Sequence, residues 1–386
     1  MEGIVLDIII IIVSTAFMAY LGAVCRQPII IAYLIAGMLI GPWGLKFIHD
    51  VEVIEGLSHI GITLLLFFAG LVLHPDRLFR LFKKTCIVTI GNCLFCVLLI
   101  FFILKITGYS WQAALFAGIA LMFASTVLVI RLLPTTTLHH QHMGSFCIAI
   151  LIAEDILAVL ILMFIKGNVL GNNGIQWPLL IFKVLLLILL LALFEKYILR
   201  QMMRHSDRYH EVLYMLTMGW GLGIAALAHF LGLPYEIGAF IGGVILARNP
   251  LSFFLSEKLL PLRDFFLMFF FFVLGAKFDF LIAKSVWFPA LLIAITILIT
   301  KPLIFRFLFK IVGESEEFSR EAGLRLGQCS EFGLIIAVVS IENSFIKIEL
   351  AQLIQLTIIL SIILSSYIVV FFCPTPLGTR KGLQKD

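Results

Sequence analysis

Apolar stretches about 20 residues long, each enough to cross a hydrocarbon core of about 30 Å, recur from Ile4 to Phe372 with only short polar breaks between them. A soluble core cannot absorb so much hydrocarbon. Of the 386 residues, 62% are hydrophobic and 13% charged, and the mean hydropathy is +1.12. The expected class is therefore an all-α polytopic membrane protein set in a lipid bilayer. The net charge of +5 does not point to nucleic acid, because the basic residues are spread through short loops. The N-terminus, "MEGIVLDIII", lacks a basic start and a small-residue cleavage site after its apolar run, so a retained span is expected rather than a signal peptide.

Turn-forming stretches such as "HPDR", "LPTTT", "GNNG" and "LGLP" divide the chain into about thirteen transmembrane spans. They fall near 4–22, 27–44, 57–74, 85–106, 111–133, 143–166, 178–199, 209–231, 235–248, 262–281, 285–310, 318–341 and 349–373. Apart from Lys301, which lies inside a span, most lysines and arginines gather on one side, among them Arg77, Arg80, Lys83, Lys84, Arg200, Arg204, Arg208, Arg320 and Arg325. The excess of positive charge marks the cytoplasmic face, placing the N-terminus outside and the C-terminus in the cytoplasm.

The chain repeats itself. Span two reads "AYLIAGMLIG" and span nine "YEIGAFIGGVILA", with Gly37 and Gly243 206 positions apart. "LLLFFAGLVLHPD" and "FFFFVLGAKFDF" place Gly70 and Gly275 205 apart, and "FASTVLV" and "GQCSEFG" place Ser125 and Ser330 205 apart. A common offset across three pairs is hard to obtain by chance. It contains an odd number of spans, so the copies have opposite topology, with spans 1–6 and 8–13 as repeats and span 7 linking them. Inverted repeats are the architecture of secondary transporters, whose sites lie near the midplane between the halves.

The costly residues cluster there. "LIAEDILAVLIL", residues 151–162, sets Glu154 and Asp155 side by side at the centre of span six, where each carboxylate costs roughly 2.5–3.5 kcal/mol or more. Ser125 and Thr126 interrupt span five, and Gln328, Ser330 and Glu331 interrupt span twelve. Lys301, followed by Pro302, lies in span eleven. An interrupted helix exposes carbonyls on one half and N–H groups on the other, which such side chains can satisfy. A carboxylate near exposed carbonyls offers oxygen ligands to a hard cation, and a carboxyl deprived of water can trade its charge for a proton. Neighbouring residues on a helix point about 100° apart, so the two acids are expected to divide the work: Asp155 as carrier of ion and proton, Glu154 as partner of Lys301. Asp7 and Glu236 lie near span ends and are read as interfacial or exposed to water.

Other candidates carry less. Cys93 and Cys96 form a C-x-x-C, but within the apolar run "GNCLFCVLLI", which reads as packed thiols. His139, His140 and His142 lie in a loop without cysteine or acidic partners, so no resident metal is expected beyond a transported ion, and no cofactor.

"YLIAGMLIGPWGL", "LLLFFAGLVLHPDRLFRL", "FASTVLVIRLL", "LIAEDILAVLIL", "FIGGVILA", "FFFFVLGAKFD", Lys301 and "LGQCSEFGLI" occur in the order seen in the cation:proton antiporter-2 family, and the sequence resembles its glutathione-gated potassium/proton and sodium/proton antiporters along nearly the whole chain. That resemblance implies an inverted-repeat sodium/proton antiporter-like fold with two discontinuous crossing helices, and a homodimer working by an elevator form of alternating access. It implies dimerisation helices over 1–84 and 206–284, core helices over 85–170 and 285–373, a linker helix over 171–205 and a cytoplasmic tail over 374–386. Asp155 then matches the acid that binds the ion and the proton, and Lys301 the lysine that pairs with the preceding acid. Na⁺ or K⁺ and H⁺ are the expected substrates, in a bacterial inner membrane.

Two features depart from that pattern. The span-six pair is Glu–Asp, where electrogenic members carry Asp–Asp and the potassium branch Gln–Asp, so ion and stoichiometry stay open. The chain ends at "PLGTRKGLQKD", and no Gly-rich phosphate motif follows a strand, so gating by nucleotide or glutathione is not expected of it. A separate regulatory subunit is left open. The alternative on the same fold is a sodium-coupled symporter of an organic anion. An enzyme is not expected: an intramembrane aspartyl protease needs a G-x-G-D signature that the sequence lacks.

Overall fold

The computed structural model describes residues 2–25, 27, 29–48, 52–71, 75–133, 142–169, 176–206, 209–233 and 235–375. It is helical almost throughout. In chain order the helices are α1 (Glu2–Val24), α2 (Ile29–Ile40), α3 (Glu52–Leu71), α4 (Pro75–Ile106), α5 (Trp111–Leu121), α6 (Thr126–Leu132), α7 (His142–Val169) and α8 (Gln176–Phe194). They continue with α9 (Arg200–His205), α10 (His210–Phe230), α11 (Tyr235–Leu246), α12 (Ser252–Ala276), α13 (Phe280–Ile311), α14 (Glu316–Arg325), α15 (Phe332–Glu342) and α16 (Ile348–Phe372). A π-helical turn, Glu195–Leu199, joins α8 to α9. Its five-residue spacing lets Glu195 accept from Arg200 Nε at 3.0 Å.

Among the described residues, seven helical segments are long and apolar enough to cross a membrane, and five further apolar helices are shorter. The shorter ones lie in the stretches expected as spans two, three, five, nine and twelve. Spans five and twelve are interrupted, at 122–125 and 326–331, where the sequence places its polar residues. The tenth stretch begins at Ser252 rather than 262 and carries Pro261 inside the helix. His139, His140, the 171–175 segment and the tail from 376 lie outside the described residues.

The chain divides into two compact units. The first comprises 1–17, 33–76 and 159–277. Its core packs Phe67 and Phe68 of α3 with Trp220 and Ile224 of α10 and Ile237 and Ile241 of α11. Here backbones meet directly. A Cβ on Gly243 of α11 would lie 2.1 Å from Phe67 O, and one on Gly70 of α3 would lie 2.4 Å from Phe240 O. Likewise a Cβ on Gly275 of α12 would lie 2.1 Å from Leu34 O, and one on Gly37 of α2 would lie 2.0 Å from Phe272 O. These are the glycines related by the sequence offset, and the two contacts exchange under it: α3 on α11, α12 on α2.

The second unit comprises 18–32, 77–158 and 278–386. Its core gathers Val88 of α4, Val129 of α6, Phe146 and Ile150 of α7, Phe305 and Phe309 of α13 and Phe318 of α14. At one edge Glu314, in the turn after α13, accepts from Lys84 Nζ of α4 (2.8 Å) and lies 3.1 Å from His142 Nε2 of α7. Burial opposes the Glu314 charge, but the Lys84 and His142 hydrogen bonds outweigh it and hold the carboxyl below its usual range.

Gly243→Ala should lower the thermal midpoint in detergent by the equivalent of about 1–3 kcal/mol, the usual cost of overpacking, whereas Gly219→Ala on α10, where a Cβ meets nothing within 4 Å, should not. Equal midpoints would contradict the backbone contact. Because the folded pKa of Glu314 is depressed, its contribution is present above the ordinary carboxylate range and lost as pH falls below that range through the lower folded value. Glu314→Gln should therefore cost about 1 kcal/mol or less at neutral pH, with the melting curves of variant and wild type converging below about pH 4.

Candidate functional site

Glu154 and Asp155 sit mid-way along α7, 1% and 8% exposed. Successive helical positions diverge by about 100°, and the two carboxylates do find different surroundings. Glu154 is held at both oxygens: Asn92 Nδ2 of α4 donates to Oε1 (3.2 Å), and the Ala124 N–H donates to Oε2 (2.6 Å). Asn92 also donates to Met122 O (3.4 Å) and accepts from Cys96 Sγ (3.5 Å). Asp155 makes one hydrogen-bonding contact among the described residues, with the Thr126 hydroxyl at 3.4 and 3.5 Å from its two oxygens.

Lys301, fully buried on α13, donates to Phe123 O (2.8 Å) and Gln328 O (2.9 Å). One ammonium thus joins the two interruptions. Pro302, next to it, is approached closely by Gly323 of α14 and by Gly327 just past its end; a Cβ on Gly323 would lie 2.7 Å from Pro302 O. Glu154 and Lys301, expected as charge partners, lie near one another without direct contact. Among the described residues no ion pair joins them; they hold opposite ends of the same peptide group, Lys301 its carbonyl and Glu154 its N–H. The reason is the break itself. Its backbone groups lack intrahelical partners, so they claim the strongest donors and acceptors in reach.

The two serines of the interruptions serve the backbone. Ser125 caps α6 by accepting from the Leu128 N–H (3.1 Å), and Ser330 accepts from the Phe332 N–H (3.2 Å). Ser330 also lies 3.5 Å from Glu331 Oε2, and Glu331 is 1% exposed at the start of α15. Gln328 Oε1 accepts from Ser365 Oγ (3.3 Å), and Ser361 Oγ accepts from the Cys329 N–H (3.2 Å). The start of α15 lies hard against the end of α5, since a Cβ on Gly333 would sit 2.1 Å from Ala120 O. The eight residues singled out from the sequence thus lie on or beside the two interruptions.

Sequence reasoning missed Asn92, Ser361 and Ser365. Asn92 stands in "GNCLFC", a run weighed for its cysteines alone, yet an amide at membrane depth is a signal of the same kind as an acid. Ser361 and Ser365 lie four apart on one face of α16, a spacing that hides among ordinary back-bonding serines. The thiols of Cys93 and Cys96 are buried and unbridged.

Chemically, the arrangement leaves Asp155 as the acid with spare oxygen lone pairs. Its carboxylate and the Thr126 hydroxyl together suit a hard cation, and the same carboxylate can hold a proton instead.

Residues 10–373 match the family described as "Sodium/hydrogen exchanger, transmembrane". The glutathione-regulated potassium-efflux system protein KefC of Klebsiella aerogenes is 29% identical over 349 residues, which cover 84% of this chain and 53% of that protein. The chain therefore spans about half the length of the curated relative it matches. The structure of the sodium proton antiporter MjNhaP1 from Methanocaldococcus jannaschii at pH 8 superposes with a TM-score of 0.71 at 18% identity, covering 96% of each chain. An electron-microscopy structure of the same antiporter gives 0.67 at 19% identity, over 92% of this chain and 93% of that one. These two likenesses establish the fold, and the family match reaches further: the chain is an integral membrane protein belonging to the sodium/hydrogen exchanger family, a family of transporters rather than enzymes.

Proposed function

We propose that this protein exchanges a monovalent cation, Na⁺ or K⁺, for H⁺ by alternating access, with Asp155 holding the cation and the proton in turn. The observation that carries this reading is the inequality of the two acids. Glu154 is engaged at both oxygens by Asn92 and the Ala124 N–H, whereas Asp155 faces a hydroxyl. A cation and a proton that compete for one carboxylate cannot both be carried on the same pass, and that competition makes the exchange obligatory. Thr126 adds an oxygen to the cation site. Ser125, Gln328, Ser330, Glu331 and Lys301 keep the two interruptions in register around it.

The reading extends to the frame. About thirteen spans in two inverted repeats, with crossing interrupted helices, are supported by the common offset and by the reciprocal glycine contacts that follow it. Core helices over 85–170 and 285–373, dimerisation helices over 1–84 and 206–284 and an elevator motion of a homodimer are part of this reading, in keeping with the family. The distribution of basic residues favours an outside N-terminus and a cytoplasmic C-terminus. The named relatives point to both candidate cations, a potassium-efflux protein and a sodium proton antiporter.

In proteoliposomes with an internal pH dye, addition of Na⁺ or K⁺ should drive proton movement through the wild type. Asp155→Asn should reduce it at least about a hundredfold, the scale expected when a positioned ionisable group is removed. Cation-driven exchange that survives in Asp155→Asn would overturn the assignment. Thr126→Val, which loses one oxygen and keeps the shape, should raise the cation KM several-fold and leave exchange measurable; an unchanged KM would remove Thr126 from the site.

A further inference from the structure

Lys301 and Arg325 are the two fully buried cations among the described residues, and only Lys301 belongs to the site drawn so far. Arg325 is the last residue of α14, and its side chain is 1% exposed. Its Nη1 donates to Leu132 O (2.9 Å), and its Nη2 donates to Pro374 O (2.6 Å) just past α16. Nε and Nη2 both reach Glu321 Oε1, at 3.0 and 2.6 Å. Glu321 thereby neutralises the charge one turn back on the same helix.

Leu132 is the last residue of α6, and Thr126 is its first. At 1.5 Å per residue the two ends are about 10 Å apart. The helix C-terminus carries partial negative charge on carbonyls without intrahelical partners, and a buried guanidinium satisfies it with a fixed planar fork. The near end of α6 is set by Ser125 and by Thr126 against Asp155, the far end by Arg325. Both buried cations therefore make the same kind of link: Lys301 joins the interruption after α5 to the one after α14, and Arg325 joins the outer end of α6 to the inner end of α14.

We propose that Arg325 is a positioning residue for the cation site, a second cationic staple between the interrupted helices that fixes α6 and so keeps the Thr126 hydroxyl opposite Asp155. The proposal rests on the antiport reading for its functional consequence and on the four hydrogen bonds for its geometry. It makes α6 a strut clamped at both ends, so that a loosened far end is felt at the ion.

The test uses Arg325→Lys, which keeps the charge and loses the fork, beside Arg325→Gln, which loses both. In proteoliposomes Arg325→Lys should raise the cation KM about tenfold with the maximal rate within about twofold, since misplacing a binding group by an ångström has effects of this order or larger. Hydrogen–deuterium exchange in detergent should show faster uptake over 126–132 in both variants, with α13 unchanged. A residue that only braces the fold would lower thermal stability and yield and leave the KM where it was, and that result overturns the proposal. Uptake over 126–132 equal to wild type overturns it as well. If wild-type protein moves no protons with Na⁺ or K⁺, the antiport reading fails, while the exchange rates over 126–132 still decide whether Arg325 clamps α6. If Arg325→Gln does not fold, Arg325→Lys alone carries both readouts.

Discussion

One peptide group, between Phe123 and Ala124, holds the rest of the site in place. A trans peptide sends its oxygen and its hydrogen to opposite sides. Lys301 takes the oxygen and Glu154 the hydrogen, at 2.8 and 2.6 Å. Cation, peptide dipole and anion therefore line up head to tail, an order in which each hydrogen bond polarises and strengthens the next. Without them the interruption at 122–125 would leave these two buried backbone groups unpaired, at several kcal/mol each. Glu154 and Lys301 serve the backbone before they serve any ion. Asp155, one position further along α7, is released from that duty.

The second interruption is managed with smaller groups. Gln328 O shares Lys301, the Cys329 N–H has the Ser361 hydroxyl, and the Phe332 N–H has Ser330. Glycines let backbones close on one another at these places, as at Gly333 against Ala120 and Gly323 against Pro302. Close approach and polar compensation go together, because a carbonyl can be reached by a short side chain or by a neighbouring helix only where no bulky group intervenes. The same economy of side chains governs the contacts of α3 with α11 and α12 with α2 in the other unit.

Much of this was legible in the sequence, because charge and polarity are expensive at membrane depth and so stand out against hydrocarbon. Glu154, Asp155, Lys301 and the polar residues at 125–126 and 328–331 announced themselves in that way, and the glycine offset marked contacts that the fold makes. That Glu154 and Lys301 meet through a shared peptide group rather than in direct contact was not legible. Matching charges by sign ignores the backbone, and at a helix break the backbone supplies dipoles that compete on equal footing. Asn92 went unnoticed for a related reason: its amide carries no charge, yet it fills the remaining oxygen of Glu154. Arg325 read as one more basic residue among those that set the orientation, since nothing local says that its side chain turns inward. The π-helical turn at 195–199 leaves no mark in hydropathy at all; only the five-residue spacing of Glu195 and Arg200 hints at it.

The indirect link between Lys301 and Glu154 also bears on how such a site can drift over evolutionary time. Two ions in direct contact depend on one another, and losing either strands the other. Here each has its own backbone partner on the shared peptide. Exchange of Glu154 for glutamine would keep the side-chain length and an oxygen for the Ala124 N–H, and Asn92 could turn its amide to meet the new NH₂ group. Lys301 would retain both of its carbonyls. The formal charge of the core can thus change by one through a single codon step, with the architecture around Asp155 left intact.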